Sequence, residues 1–216
     1  MTTIGPYRDL VKQAYDSLKS DPPGDGEEVE RPPLTPKYVQ YLQSEADRIR
    51  TTLGSTTNVI LAKRNGTDPF AVLDALHFCS CFQWVNGKTN NETEQMITAC
   101  FWLPMEVNNG GFHQYFHNSA GDLWPFVLKV LEEGQDAESL GRFINLISIF
   151  PNGPPSLHRR KRWAQMEAIE TASEKEVESH FDRHNSEFYE KPYPRSEVFW
   201  PVIERRAADI RLPWLA

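Results

Sequence analysis

The sequence predicts an all-α protein, a compact multi-helix domain with a helical extension at its amino end. Three observations carry that expectation. Apolar residues recur at three- and four-residue steps along most of the chain, as they do on helices with one buried face. Capping signatures stand before several of those runs. Residues 55–62, STTNVILA, could form a short strand or merely extended chain, but no second run offers an obvious pairing partner. The chain has 216 residues, 39% of them hydrophobic, with six Trp, seven Tyr and twelve Phe. That is enough for a real core, since a chain of this length buries roughly 70% of its unfolded surface.

Taken in order, residues 1–19 predict a first helix, with Pro6 near its first turn and Tyr7, Leu10, Val11, Ala14, Tyr15 and Leu18 on one side. Residues 20–36, rich in proline, glycine and acids, have too little apolar surface to pack and read as an exposed linker. Residues 37–216 are expected to form the main helical domain. Thr35 can cap its first helix, Pro36 suits the first helical position, and Tyr38, Tyr41, Leu42, Ile49 and Leu53 line one side up to Gly54. A helix opening at Thr67-Asp68-Pro69 carries Phe70, Leu73, Leu76 and His77 and closes near Asn86-Gly87. Asn91 and Glu94 form a capping-box pattern for a helix through Met96, Ile97, Cys100 and Leu103, which Pro104 is expected to end or kink late. Further helices are predicted over Leu123–Leu131, Leu140–Ile149, Leu157–Thr171 and about Glu197–Ile210. Ser173 with Glu176 repeats the capping-box pattern ahead of Val177, Phe181 and Phe188.

Charge and cysteine use narrow the function classes. Thirty Asp and Glu against 23 Lys and Arg leave a net charge of −7. A simple nucleic-acid binder is usually basic, so this chain should repel DNA and attract basic protein surfaces. Cys79, Cys81 and Cys100 are odd in number and lie in apolar stretches, which predicts buried helical thiols rather than a disulfide framework. There is no apolar run of the roughly 20 residues that would span a membrane, and no signal-peptide pattern, so a cytoplasmic protein is expected. No nucleophile elbow, phosphate-cradling Gly-Lys-Ser/Thr loop or dinucleotide fingerprint occurs, and no cofactor is expected.

One segment carries a signature. Residues 106–122 read EVNNGGFHQYFHNSAGD. Asn108-Asn109-Gly110-Gly111 gives the backbone access to positive φ and predicts a sharp turn after a helix. Phe112, Tyr115 and Phe116 then repeat at helical spacing, and Asn118 to Gly121 closes a second turn. Asn108, Asn109, Gln114 and Asn118 are expected to satisfy backbone groups at the two corners. The string from Glu106 and Val107 through Asn108, Asn109, Gly110, Gly111 and Phe112, then Gln114, Tyr115, Phe116 and Asn118, resembles the DNA-mimic-protein-like family. The likeness extends more weakly over about residues 70–210, through Phe150-Pro151 and Phe188-Tyr189, and leaves the first 60 or so residues without a counterpart. The resemblance implies an all-α fold. It also implies an acidic surface that imitates DNA and occupies a DNA-binding protein.

The candidate face for such a role is Glu167, Glu170, Glu174, Glu176, Glu178, Asp182, Glu187 and Glu190, opposed within that segment by Lys175 and Arg183. Glu170, Glu174 and Glu178 would make a row with a rise of about 6 Å between neighbours, of the order of phosphate spacing, if one helix carried them. A cap at Ser173 would break that row, and the cluster Arg159 to Arg162 would interrupt a uniformly negative surface. His113 and His117 lie four apart, the spacing of a zinc-binding helix. Gln114 stands where the zinc proteases of that design have their glutamate base, and Glu106 could reach as a third ligand only across the Gly corner. The leading expectation is a non-enzymatic acidic module that binds another protein, without direct contact to nucleic acid or membrane. The alternatives are a toxin-neutralising immunity protein, or an enzyme or small-ligand protein centred on the NNGGFHQYFHN segment.

Overall fold

A computed structural model of the chain describes residues 35–53, 72–78, 80, 90–151 and 153–211, together with residue 12. The expected linker up to residue 34, the 55–62 stretch, Cys79, Cys81 and the Asn86-Gly87 helix end lie outside the described residues, as does the first helix except for Lys12, which is helical; Pro36, placed last in the linker, opens a helix. The fold is compact and all-α, with no strand among the described residues. Helix α1 spans Pro36–Leu53, and residues 72–78 form a helical segment. Then follow α2 (Glu92–His117), a 3₁₀ turn (Ser119–Leu123), α3 (Trp124–Glu133), α4 (Ala137–Ile147), α5 (Arg159–Glu190), α6 (Ser196–Arg205) and a last 3₁₀ turn (Ala207–Asp209). No helix among the described residues is long and apolar enough to cross a membrane.

Helix α2 is the centre of the packing and touches α3, α5 and the turn that follows it; α3 packs in turn on α4 and α6. Its start follows the predicted capping box. Asn91 Oδ1 accepts from the Glu94 amide at 3.0 Å, and a Glu94 carboxylate oxygen accepts from the Asn91 amide at 2.9 Å. Glu94 is nonetheless buried, because Arg211 closes over it with Nε 2.9 Å from its carboxylate. Asn91 also donates to the Asp209 carbonyl at 2.6 Å, so the last 3₁₀ turn is tied to the start of α2.

Pro104 neither ends nor breaks α2: helical geometry continues through it, and the interruption falls at Gly110-Gly111. Leu103 and Val107 are fully buried on either side, and that packing outweighs one missing backbone donor. Helix α5 breaks at Ser173, whose φ of −165° and ψ of 88° leave helical space as a cap residue does, giving limbs 159–172 and 174–190. Asp136 caps α4, accepting from the Ser139 amide at 3.1 Å. The predicted last helix ends at Arg205 and gives way to the 3₁₀ turn before Ile210. On α1, Ile49 is buried as its spacing predicts, whereas Tyr41 is half-exposed and stands off the core. Cys100 is a buried free thiol, and desolvation pushes its pKa up, so it stays protonated.

Candidate functional site: a clasped glycine corner and the acidic limb

The signature segment folds as helix, corner, short helix, second corner. Each glycine has its own reason. Gly111 has φ +73°, and a Cβ there would lie 2.6 Å from the Asn185 side chain. Gly110 sits under Gln114, whose Oε1 would be 2.1 Å from a Cβ. Only a residue without a side chain lets Gln114 fold back across the corner.

Gln114 reaches Glu106. Gln114 Nε2 donates to Glu106 Oε2 at 2.7 Å, and Asn118 Nδ2 donates to the same oxygen at 2.8 Å. Three signature residues, from before the corner, after it and beyond the short helix, therefore converge on one carboxylate oxygen. The expectation that Gln114 and Asn118 side chains satisfy corner backbone is corrected here, because a carboxylate is the stronger acceptor for both amides. Asn108 and Asn109 are exposed and make no side-chain hydrogen bond among the described residues.

The backbone groups freed at the corner are satisfied from α5. Asn185 Oδ1 accepts from the Phe112 amide at 2.8 Å and so caps the short helix from outside the segment. The Tyr189 hydroxyl donates to the Val107 carbonyl at 2.9 Å, just before the point where helical geometry is interrupted. Below the corner, Phe112 meets Phe188 edge-on with ring centres 5.6 Å apart and stacks near Tyr193 at 6.3 Å. Phe112, Tyr115 and Phe116 are fully buried. They belong to the core.

The second corner is held by Arg162, which is 0% exposed. Its guanidinium donates to the carbonyls of Phe116 at 2.6 Å, Asn118 at 2.9 Å and Ser156 at 2.7 Å, and to Asp122 Oδ1 at 2.7 Å. Arg162 is thus not part of a surface basic cluster. A fork with five donors suits a set of diverging carbonyls that no neutral side chain could serve. Neither Arg162 nor Asn185 was legible as a site residue, for both stand in charged, polar runs that read as solvated helix surface.

His113 and His117 do share a helical face, with near-parallel rings 6.3 Å apart. Each has another partner. His113 Nε2 lies 2.8 Å from Glu170, and His117 stacks on Trp163 at 4.8 Å. Glu106, the third ligand considered from sequence, is turned toward Gln114 and Asn118. No group of three or more His, Cys, Asp or Glu that could hold a metal occurs among the described residues.

The acids of α5 separate into distinct environments. Glu170 lies before the break and pairs with His113. Glu187 lies 3.7 Å from Arg142 and 3.2 Å from His184. Glu167, Glu174, Glu176, Glu178, Asp182 and Glu190 are exposed and make no ion pair among the described residues. Within the unbroken limb, Glu174, Glu178 and Asp182 follow one another at four-residue steps. The same stripe continues to Asn185 and Tyr189, the two residues that clasp the corner. Glu176, Glu187 and Glu190 fall on the other flank, where His180 and Arg183 also lie.

The signature residues thus build an interlocked corner in an all-α fold, with an exposed carboxylate stripe on α5 leading to it. Comparison with protein families matches residues 88–204 to the DMP19-like protein family. The match covers more than half of the chain, which belongs to that family. It spans α2 to α6 and bears out the resemblance read from the signature segment, over a shorter stretch than 70–210. No curated protein and no solved structure matches the chain.

Proposed function

We propose that this protein binds a basic, DNA-binding protein through the stripe Glu174, Glu178 and Asp182, in the manner of a DNA mimic. One observation carries the reading. Three carboxylates stand exposed on one face of one helical limb, free of ion pairs among the described residues, with a rise of about 6 Å between neighbours. Unpaired exposed carboxylates are hydrated and carry their full charge outward, whereas those held by arginine are already neutralised locally. Asn108 and Asn109 are also exposed, in the segment whose Val107 carbonyl accepts from Tyr189 of the same limb, and offer neutral hydrogen-bonding groups. Membership of the DMP19-like family supports the reading without naming the partner. On this view residues 37–216 are the binding domain, and residues 1–36 are an addition to it.

The test is capture from extracts of the native host at low and moderate salt, followed by challenge with a short DNA duplex. A bound basic protein that is released both by salt and by duplex DNA is the expected result. A partner that duplex DNA leaves in place would favour the toxin-neutralising role instead. Recovery of no basic partner at either salt would sink mimicry.

A further inference from the structure

Tyr189 is at once held and open. Its hydroxyl donates to the Val107 carbonyl at 2.9 Å, yet the residue is 53% exposed, whereas its neighbour Phe188 is buried. The bond fixes the ring and uses its one donor, so the ring face is what remains for a partner. Elsewhere the chain covers such faces itself: Arg142 lies over Tyr193 at 5.1 Å and Arg159 over Trp163 at 5.2 Å. Tyr189 has no aromatic or cationic neighbour of that kind among the described residues. Its surroundings are polar. Asp182 and Ser186 are exposed on the same limb, and Asn108 and Asn109 are exposed beside the carbonyl that holds the hydroxyl. The cations of this stretch are engaged elsewhere, Arg183 with Asn145 at 3.1 Å and Lys191 with Glu138 at 2.6 Å. An apolar partner would strip water from the nearby carboxylates and give nothing in return.

We infer that the basic partner meets this end of the stripe with arginine rather than lysine, one guanidinium lying flat on the Tyr189 ring and a second pairing with Asp182. The inference rests on the binding role proposed for the stripe and names the side chain that the stripe selects. A guanidinium is planar and weakly hydrated, so it stacks on an aromatic face while its edges still donate to acceptors alongside. An ammonium is a strongly hydrated point charge and gains less from the same ring. Because the ring is already tethered to Val107, binding freezes no mobile side chain at that position. Asp182 and Tyr189 lie on one stripe seven residues apart, a rise of about 10 Å. Arginines three residues apart in an extended segment span a similar distance and can reach both.

The full-length protein is titrated calorimetrically at low salt with a blocked peptide of four Arg-Gly-Ser repeats and with its Lys-Gly-Ser counterpart of equal charge. The arginine peptide should bind roughly two- to fivefold more tightly. Tyr189→Leu should bring it down to the affinity of the lysine peptide. The ratio of the two affinities is the readout, since a merely loosened corner would weaken both peptides alike. Tyr189→Phe keeps the ring without its tether and should keep part of the preference, which holds the test open if Tyr189→Leu folds poorly. Glu174→Gln, Glu178→Gln and Asp182→Asn together should weaken both peptides. Equal binding of the two peptides by the native protein would overturn the inference and leave the stripe reading standing. A preference that survives intact in Tyr189→Leu would overturn it too, because the carboxylates alone would then account for it. Binding of neither peptide, or binding indifferent to the triple substitution, would sink the stripe reading and this inference with it.

Discussion

The two limbs of α5 carry similar densities of charge and use them in opposite ways. In residues 159–172 the dominant charge, Arg162, is fully buried, and its four hydrogen bonds join Phe116, Asn118, Asp122 and Ser156. In residues 174–190 Glu174, Glu178 and Asp182 are exposed and unpaired among the described residues. Burial and available partners decide the role of a charge. Counting charges along the chain does not. The buried guanidinium supports the fold, whereas the exposed carboxylates project their charge into solvent.

The largest effect should come from the buried side of this comparison. Arg162→Leu leaves three carbonyls and the Asp122 carboxylate without their donor, and should cost on the order of 3–5 kcal/mol by urea denaturation. Arg162→Lys should recover only part of that, because an ammonium group lacks the planar fork. A loss below about 1 kcal/mol for Arg162→Leu would mean that Arg162 is not the clamp described here.

Next comes the corner that joins α2 to the acidic limb. Gly111→Ala forces a side chain into φ +73° and against Asn185, and should cost about 2 kcal/mol or more. In an Asn185→Ala background the steric part of that penalty disappears and only the backbone part remains. Strict additivity of the two substitutions would show that the contact is absent in solution.

Acid should weaken the molecule from the other flank of the same limb. His184 is 2% exposed, and its pKa is lowered to about 4 by burial and by neighbouring His180 and Arg183, against the opposing pull of Glu187. His77 is lowered to about 4 by burial. A histidine with a depressed folded-state pKa binds fewer protons folded than unfolded. Its stabilisation is therefore complete above about pH 6.5 and declines as pH falls toward 4. Between pH 7 and 5 each histidine should cost on the order of 2 kcal/mol. Melting followed at intervals across that range tests the sign, and His184→Gln should flatten part of the slope.

Much of the fold was legible because helices announce themselves locally. The Asn91–Glu94 capping box, the break at Ser173 and the glycine corner all follow from adjacent residues. The clasp was less so, because its partners lie far apart in the chain: Asn185 serves Phe112, Tyr189 serves Val107, and Arg162 serves Asn118. Nothing in RRKRW distinguishes the arginine that enters the core from the two arginines and the lysine that do not. Likewise Pro104 lies in a helix that tertiary packing holds intact, a competition that local propensity cannot weigh. Family resemblance bridged part of this gap by marking Glu106, Gln114 and Asn118 together, without indicating that they meet on one oxygen.

The smallest effect on stability should accompany the largest on binding. Glu174→Gln, Glu178→Gln and Asp182→Asn combined remove exposed charges with no ion pair among the described residues, so the melting temperature should move by no more than a few degrees. The direction should be upward, since like charges at four-residue steps repel. Capture of a basic partner should fall sharply, and its remaining salt dependence should flatten. Glu176→Gln with Glu190→Gln, on the flank shared with Arg183, offers the matched control. Those two sites are equally exposed but face away from the corner, so their neutralisation should leave capture nearly unchanged. Equal losses from both sets would mean that the partner senses net charge alone. The distinction between the two flanks would then have no functional content, even with the helical stripe intact.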